Sequence, residues 1–200
     1  LRKLGIKKIR YLAKGKRSIV YAGNYKNKKV AIKIKKAGIS AKFVIKNEVK
    51  FLKILNKHNI GPKLIYFSKD FVVYEFVKGK EILDYFKTAK IDKILKIIRE
   101  ALRQCYVLDE LKINKKELHH PVKHILIYKN KPVMIDFERC YYAKKPKNVT
   151  QFCQFLLSGE ISEILDKKYI KIDRNRLIKL LKIYKKNQTK GNFVKITKEV

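Results

Sequence analysis

The sequence predicts an α+β fold in two lobes, and three features of its 200 residues carry that prediction. Period-two apolar patterns, which are typical of strands, are concentrated in the first part of the chain, whereas helical periods dominate from Glu81 onward. A hydrophobic content of 46% supports a folded core, and the length suits one domain or two small lobes. We therefore expect a strand-rich first lobe over residues 1–77 and a reduced, helical second lobe over residues 78–200.

The first lobe is predicted to contain five strands and one helix. The third strand, KKVAIKIKK, is half-buried because Val30, Ile32 and Ile34 alternate with polar residues. A helix with its apolar face around Val49 should follow and end before Gly61. The predicted strands cover residues 4–12, 18–25, 28–36, 63–68 and 71–77.

The second lobe is predicted to be mainly helical. ILDYF begins a helix, and a long helix should follow around residues 91–111. Two short strands are expected inside HHPVKHILIYKNKPVMIDFER, which runs from His119 to Arg139. Further helices are predicted around residues 149–157 and 174–184.

The charge indicates a polyanionic partner. The chain has 51 Lys and Arg residues against 17 Asp and Glu residues, a formal net charge of +34. Heat adaptation enriches both signs to build ion-pair networks, but here the acids are too few to pair with most lysines. Because the basic residues are spread along the chain, the folded surface should bind nucleic acid through its phosphates. Acidic protein and a membrane surface are the alternatives.

The apolar runs, the first residues and the cysteines predict where the protein is found. No apolar run approaches the length of a membrane span, and LRKLGIKKIR does not resemble a secretory signal. Cys105, Cys140 and Cys153 are widely spaced and odd in number, which suits a reducing compartment. We expect a cytoplasmic monomer.

Two motifs in the first lobe suggest phosphate binding. AKGKRSIVYAG has the spacing of the kinase phosphate loop G-x-G-x-x-G-x-V, with Gly15 as the surviving glycine, Ser18 at a flanking position and Val20 at the valine position. A plain hairpin turn is the alternative. VAIK, which contains Ala31 and Lys33, matches the strand that carries the phosphate-binding lysine of kinases.

Three further motifs follow in the same order as in kinases. Glu48, on the predicted helix, occupies the position of an ion partner for Lys33. VYEFVKGKEI, with Glu75 to Val77, is similar to the segment that binds an adenine ring through backbone groups. MIDFER places Asp136 at the position of the magnesium-binding aspartate of D-F-G.

The five motifs together resemble the protein-kinase-like superfamily over nearly the whole chain. HPVKH followed by IDFER is similar to a minimal, RIO-related group of archaeal proteins whose motifs read HPxKH and DFER. Members of that group are described as predicted Ser/Thr kinases, and the group includes an RNA kinase that phosphorylates the 2′-hydroxyl of a tRNA variable-loop uridine. The resemblance implies a two-lobed kinase-like fold with ATP and Mg²⁺ as cofactors.

The resemblance also implies roles for individual residues. Lys33 would clamp the α- and β-phosphates and be oriented by Glu48, while Asp136 would bind the metal. The backbone near Gly15 and Ser18 would cover the phosphates. The adenine environment would come from Val20, Ala31, Glu75 and Val77.

The loop before Asp136 departs from the kinase pattern. His119 falls where the catalytic aspartate belongs, with His120 as an alternative one residue away, and His124 falls where a metal-binding asparagine belongs. His119 can accept a hydroxyl proton, and Lys123 can stabilise a transferring phosphate. His124 is a poor Mg²⁺ ligand and can instead hydrogen-bond a phosphate or the backbone, which leaves one metal site on Asp136, with Glu138 as a possible helper. Histidines with only a structural role in a rigid turn are the alternative.

The segment after Asp136 indicates the substrate. It is short and basic, has no A-P-E motif and leaves few residues for a peptide platform. Lys144, Lys145 and Lys147 are therefore predicted to contact RNA, and the stretch IKIDRNRLIKLLKIYKKNQTK can extend that strip. The expected function is an ATP-dependent RNA kinase that modifies a ribose hydroxyl of tRNA. A Ser/Thr protein kinase and an inactive RNA-binding module are the alternatives.

Overall fold

The computed structural model describes residues 4–38 and 43–200, and it shows a mixed α+β chain. The chain forms two compact units. The first unit contains the residues up to Lys78 together with Val133–Cys140, and the second contains Gly79–Pro132 and Tyr141–Val200. The predicted boundary between residues 77 and 78 lies one residue before this division. The segment Val133–Cys140, which is predicted for the second lobe, groups instead with the first unit. Its residues bond to strand and helix residues there.

The first unit is built on a five-stranded antiparallel sheet. The strand order is β1-β2-β3-β5-β4. Lys26 and Asn27 have φ angles of 46° and 62° between β2 and β3, which is the left-handed geometry of a tight hairpin turn. The strands are β1 (Lys7–Lys14), β2 (Ser18–Tyr25), β3 (Lys28–Lys35), β4 (Leu64–Phe67) and β5 (Phe71–Glu75).

One helix, α1 (Val44–Leu55), packs on this sheet. Its apolar face is buried, and Val44, Ile45 and Val49 form a cluster with Val72 of β5. The helix continues into a short 3-10 turn over Asn56–His58. The Asn56 side chain then secures the exit, because its Nδ2 donates to the carbonyls of Ile60 and Pro62 and its Oδ1 accepts the Leu64 N–H. The helix stop that we predicted near Gly61 is confirmed.

The second unit is mainly helical. Four of its helices match predicted ones, whereas α5 and α7 were not predicted. Both unpredicted helices are short, and α7 is capped by Thr189, whose hydroxyl accepts the Asn192 N–H. The helices are α2 (Ile82–Thr88), α3 (Ile91–Glu110), α4 (Asn148–Leu156), α5 (Gly159–Lys167), α6 (Arg174–Lys186) and α7 (Lys190–Thr197).

Five short strands occur between Lys80 and Tyr142. The two predicted in the long loop are present as β8 and β9, and they belong to a three-stranded sheet in the order β6-β8-β9. Strand β10 pairs with β7 through Tyr141 opposite Asn114. Within the described residues, the helices are too short or too polar to cross a membrane. The strands are β6 (Lys80–Glu81), β7 (Ile113–Asn114), β8 (Ile125–Tyr128), β9 (Lys131–Met134) and β10 (Tyr141–Tyr142).

Candidate phosphotransfer site

Lys33 lies at the centre of a charged cluster in the first unit. It is on β3, opposite Val72 of β5, and is only 4% exposed. Its Nζ is 3.1 Å from Glu48 Oε2, 2.7 Å from Asp136 Oδ1 and 2.8 Å from Glu138 Oε2. Three of the predicted site residues, together with Glu138, are therefore in direct contact.

Glu48 links helix α1 to the segment Val133–Cys140. It is 1% exposed, and the same Oε2 that contacts Lys33 accepts the backbone N–H of Phe137 at 3.0 Å. A buried carboxylate needs such partners, because an unpaired charge in the core costs several kcal/mol, on the order of 3–5. The position of Glu48 thus fixes both the lysine and the backbone that follows Asp136.

The backbone at Asp136 has an unusual conformation. Its φ is +63°, in the left-handed region, which Asp and Asn tolerate better than most side chains. The next residue, Phe137, is fully buried. The Asn47 side chain donates through Nδ2 to the carbonyls of Glu138 at 2.6 Å and Cys140 at 2.9 Å. These contacts hold the Asp136 and Glu138 carboxylates toward Lys33.

Gly61 makes room for this arrangement. Its φ is +81°, and an added Cβ would lie 2.8 Å from Phe137 Cε2 and 3.1 Å from Leu52 Cδ2. A side chain at this position would push against the ring that anchors the residues between Asp136 and Glu138. The Gly61-Pro62 pair therefore ends a helix and also shapes the charged cluster.

The electrostatics of the cluster are set by burial and by the carboxylates around Lys33. Although burial by itself lowers the pKa of Lys33, attraction by Glu48 first, and then by Asp136, raises it well above its ordinary value. Burial raises the pKa of Glu48, and Lys33 opposes that rise. Burial, with the negative charge of Glu48, also raises the pKa of Tyr74 on the neighbouring strand. One ammonium faces three carboxylates whose oxygens lie within 4.8 Å of one another, so the cluster carries a surplus of negative charge.

The predicted phosphate loop is a tight connection between β1 and β2. The Gly15 N–H donates to the Ser18 carbonyl at 2.9 Å, and Lys36 Nζ donates to the Gly15 carbonyl at 2.5 Å. Ser18 is buried, and Val20 is partly buried. The geometry is that of a hairpin loop, the alternative to a phosphate loop for this segment.

The residues predicted to surround adenine belong to β3 and the end of β5. Ala31 is buried opposite Tyr74. The Glu75 N–H donates to the Lys63 carbonyl at 2.9 Å, and the Phe76 N–H donates to the Lys29 carbonyl at 3.2 Å. These two amides are therefore engaged within the unit, and the Val77 N–H is the next amide along the chain that could meet a ligand.

The histidine loop belongs to the second unit. His119 ends a 3-10 turn, Lys116–His119, and is exposed. Its Nδ1 lies 2.8 Å from the Lys116 carbonyl, and since a carbonyl only accepts, Nδ1 must carry the proton of this bond. The basic nitrogen of the neutral ring is then Nε2. His120 is also exposed, with its ring 4.7 Å from that of His119.

The rest of this loop is a compact turn ahead of β8. The Pro121 carbonyl accepts the N–H groups of His124 at 2.8 Å and Ile125 at 2.9 Å. Lys123 is exposed and His124 is partly buried. His119, Lys123 and His124 lie in one unit, and Lys33, Glu48 and Asp136 lie in the other.

The predicted RNA-contacting lysines are on the surface of the second unit. Lys144, Lys145 and Lys147 are exposed. The Lys147 N–H donates to Asn114 Oδ1 at 2.7 Å, which fixes the backbone at the start of α4. Their side chains are therefore presented by a well-anchored segment.

Sequence analysis missed a buried polar cluster in the second unit. Asp109 of α3 accepts the N–H groups of Asn148 and Val149, the Asn148 amide and the Tyr184 hydroxyl. Asn148 in turn accepts the Lys115 N–H and donates to the Ile113 carbonyl. Burial raises the pKa of Asp109. The signal available in the sequence was an acid, Asp109, on the apolar face of a long helix.

Comparison with known proteins gives one informative relative. No family model matches the chain. The chain is 32% identical over 115 residues to the uncharacterized protein MJ1211 of Methanocaldococcus jannaschii. The match covers 56% of this chain and 98% of that protein.

Proposed function

This chain belongs to the same family as the uncharacterized archaeal protein MJ1211, and we propose that it is an ATP-dependent kinase that transfers a phosphoryl group to a ribose hydroxyl of RNA, with tRNA as the substrate. The observation that carries the proposal is the contact of Lys33 with Glu48 and Asp136. It joins three motifs that are far apart in the sequence and that recur in this order in kinases.

The nucleotide would bind to the first unit. Lys33, buried and pre-oriented by Glu48, supplies a fixed positive charge for the α- and β-phosphates. The loop around Gly15 and Ser18 would cover the phosphates with backbone groups. Val20 and Ala31 offer apolar contacts for the base, and the backbone near Glu75 and Val77 offers polar ones.

The carboxylates of the cluster fit Mg²⁺. Magnesium prefers oxygen ligands, and Asp136 and Glu138 place carboxylate oxygens beside each other near Lys33. Asp136 is the more accessible, with 34% of its side chain exposed against 11% for Glu138. The metal would neutralise charge on the triphosphate. Glu48, which is buried and already bonded to Lys33 and Phe137, would act as an orienting group.

The histidine loop would serve the acceptor hydroxyl. Phosphoryl transfer depends more on positioning and charge neutralisation than on a strong base. His119 Nε2 can accept a hydroxyl proton, because the Nδ1 contact with Lys116 leaves Nε2 as the basic nitrogen. Lys123 would stabilise the transferring phosphate, and His124 would orient the loop or a phosphate oxygen.

RNA is favoured as the substrate by charge. A net charge of +34 on 200 residues is self-repulsive unless a polyanion binds. Lys144, Lys145 and Lys147 form an exposed basic strip after the Asp136 motif, and this strip suits a phosphate backbone better than a peptide.

A label-transfer assay tests the proposal. The protein is incubated with γ-labelled ATP and Mg²⁺, and unmodified tRNA, rRNA or a generic protein is offered in separate reactions. We expect label in tRNA that resists phosphatase until the RNA is digested. Such resistance would mean that the labelled phosphate is at an internal nucleotide of the tRNA and not at its end. Label in protein alone would establish a protein kinase instead.

The variant Asp136→Asn tests the metal-binding role proposed for Asp136. Asparagine tolerates the left-handed backbone and has the shape of aspartate, so the change removes the charge with little strain. We expect transfer to fall at least about 100-fold, because charge neutralisation is lost, while tRNA binding stays within about twofold of wild type. Asp70→Asn is the control, since Asp70 pairs with Lys35 at the surface. Full activity in Asp136→Asn would contradict the metal assignment.

An inactive RNA-binding module is the second candidate. It is favoured by the contact of His119 with the Lys116 carbonyl, which is also what a histidine with only a structural role would make. Bound ATP or tRNA with no transfer to any substrate would support this candidate and overturn the kinase.

A further inference from the structure

Two helices of the second unit line a groove that the kinase site does not use. The groove has a volume of about 700 Å³ and lies between α4 and α6. Its floor is apolar and contains Leu157, Ile178 and Leu181. Its walls are polar and include the basic residues Lys147, Arg174, Lys182 and Lys185.

Hydrogen bonds fix the groove at both ends. At one end, Arg174 Nη1 donates to the Leu157 carbonyl at 2.8 Å. At the other, Gln188 Nε2 donates to the Pro146 carbonyl at 2.6 Å. The start of α6 is thus tied to the end of α4, and the segment after α6 is tied to the segment before α4. The two helices therefore run antiparallel.

The charge of the groove has one sign. Its lining contains four basic residues and, within the described part of the chain, no acidic one. Arg174, Lys182 and Lys185 come from one face of α6, at intervals of eight and three residues. From Arg174 to Lys185 this face runs about 16 Å at ~1.5 Å per residue, a length that spans several nucleotides of a strand at roughly 3.4 Å each.

The groove also continues the basic strip predicted from the sequence. Lys147 belongs to both, since it follows Lys144 and Lys145 in the chain and lines the groove at the start of α4. The polar residues of the wall, Gln154 and Ser158, add hydrogen-bonding groups at the same surface. Charge, length and continuity all suit a linear polyanion.

We propose that the groove between α4 and α6 binds the phosphodiester backbone of a nucleic acid. The choice of RNA rests on the proposed kinase function, whereas the recognition of phosphates rests on the groove alone. The apolar floor would pack against sugars, and the lysines would contact successive phosphates, giving affinity with little sequence specificity.

The test is tRNA binding without ATP or Mg²⁺, measured by filter retention at several salt concentrations. The double variant Lys182→Gln/Lys185→Gln removes two exposed charges from the groove. We expect its tRNA affinity to fall by about tenfold and the slope of log affinity against log salt to decrease by roughly 1.4–1.8, which corresponds to two lost phosphate contacts.

A control of equal charge is available in the same unit. Lys93 and Lys96 are exposed on α3 and do not line the groove. The variant Lys93→Gln/Lys96→Gln should change the affinity by less than about twofold. An equal loss of tRNA affinity in both double variants would mean that net charge alone explains the effect, and it would overturn the proposal. Unchanged tRNA binding in the groove variant would also overturn it.

Competitors decide what the groove recognises. Duplex DNA that displaces tRNA through Lys182 and Lys185 supports a general phosphate-backbone site. Polyglutamate that competes as well as tRNA at equal charge would overturn the nucleic-acid assignment. The groove and the proposed kinase activity can be tested separately. The groove variant should bind a fluorescent ATP analogue as well as wild type does. Failed phosphoryl transfer with intact groove binding would count only against the proposed function.

Discussion

Each unit has a buried acid on a helix that ties a distant segment in place, but the two acids have different partners. In the first unit, Glu48 accepts the Phe137 N–H and also contacts the ammonium of Lys33. In the second, Asp109 accepts four hydrogen bonds, all from neutral donors.

The difference separates a hydrogen-bond network with neutral donors from a cluster of charged groups. The Asp109 network is saturated by backbone amides, an amide side chain and a phenol, so its bonds lock α3, α4 and α6 together. The Lys33 cluster contains more negative than positive charge, and part of it, at Asp136, is open to solvent. Asp136 is therefore the most accessible of the three carboxylates in the cluster.

Removing Asp109 should produce the largest loss of stability. Asp109→Ala would leave the buried N–H groups of Asn148 and Val149 without acceptors, and each such group costs about 1–3 kcal/mol. We expect the free energy of unfolding to fall by about 5 kcal/mol, measured by urea denaturation, with rapid amide exchange at Val149.

Tyr184→Phe is the milder variant of the same network. It removes one hydrogen bond and leaves the two backbone amides paired, so we expect a loss of about 1 kcal/mol. A loss in Asp109→Ala no greater than in Tyr184→Phe would contradict the view that the backbone amides depend on this carboxylate.

Much of the fold could be predicted from the sequence, because the patterns that carry it are local. The alternation at Val30, Ile32 and Ile34 predicts β3, and the structure has a strand at Lys28–Lys35. Helix α5 was missed because it is nine residues long and follows α4 with only a short break. Strands β6, β7 and β10 have two residues each, and their pairing depends on segments far apart in the chain.

Only some of the contacts in the candidate site could be predicted from the sequence. Motif order predicted that Glu48 would pair with Lys33, and the two charged groups are 3.1 Å apart. The contact of Lys33 with Asp136 was not predicted. The contact of Glu138 with Lys33 could not be derived from spacing alone, because it depends on the turn at Asp136 and on the Asn47 hydrogen bonds. Those contacts join residues about 90 positions apart, beyond the range of any local pattern.

Removing Lys33 should have the next largest effect and should respond differently to a second change. Lys33→Met leaves the buried Glu48 charge without its cation, and such losses cost about 3–5 kcal/mol. Adding Glu48→Gln removes that charge and keeps an oxygen for the Phe137 N–H. We expect the double variant to recover about half of the lost unfolding free energy in urea denaturation.

The same design sharpens the contrast with the Asp109 network. Asp109→Ala combined with Tyr184→Phe should recover nothing, because the orphaned donors there are backbone groups that mutation cannot remove. Recovery in the second unit, or none in the first, would show that charge is not what distinguishes the two acids.

A further prediction concerns the space beside the charged cluster. Gly61→Ala places a methyl group against Phe137 and also puts alanine in the left-handed region. The conformational cost is about 1 kcal/mol, and crowding in a packed core adds about 1–2 kcal/mol.

Gly5→Ala separates the two costs, since Gly5 has a φ of +74° with no atom within 4 Å of an added Cβ. We expect urea denaturation to give a loss of about 1 kcal/mol for Gly5→Ala and about 2–3 kcal/mol for Gly61→Ala. Equal losses would mean that Phe137 yields without resistance, and the segment from Asp136 to Glu138 would then be held by Glu48 and Asn47 alone.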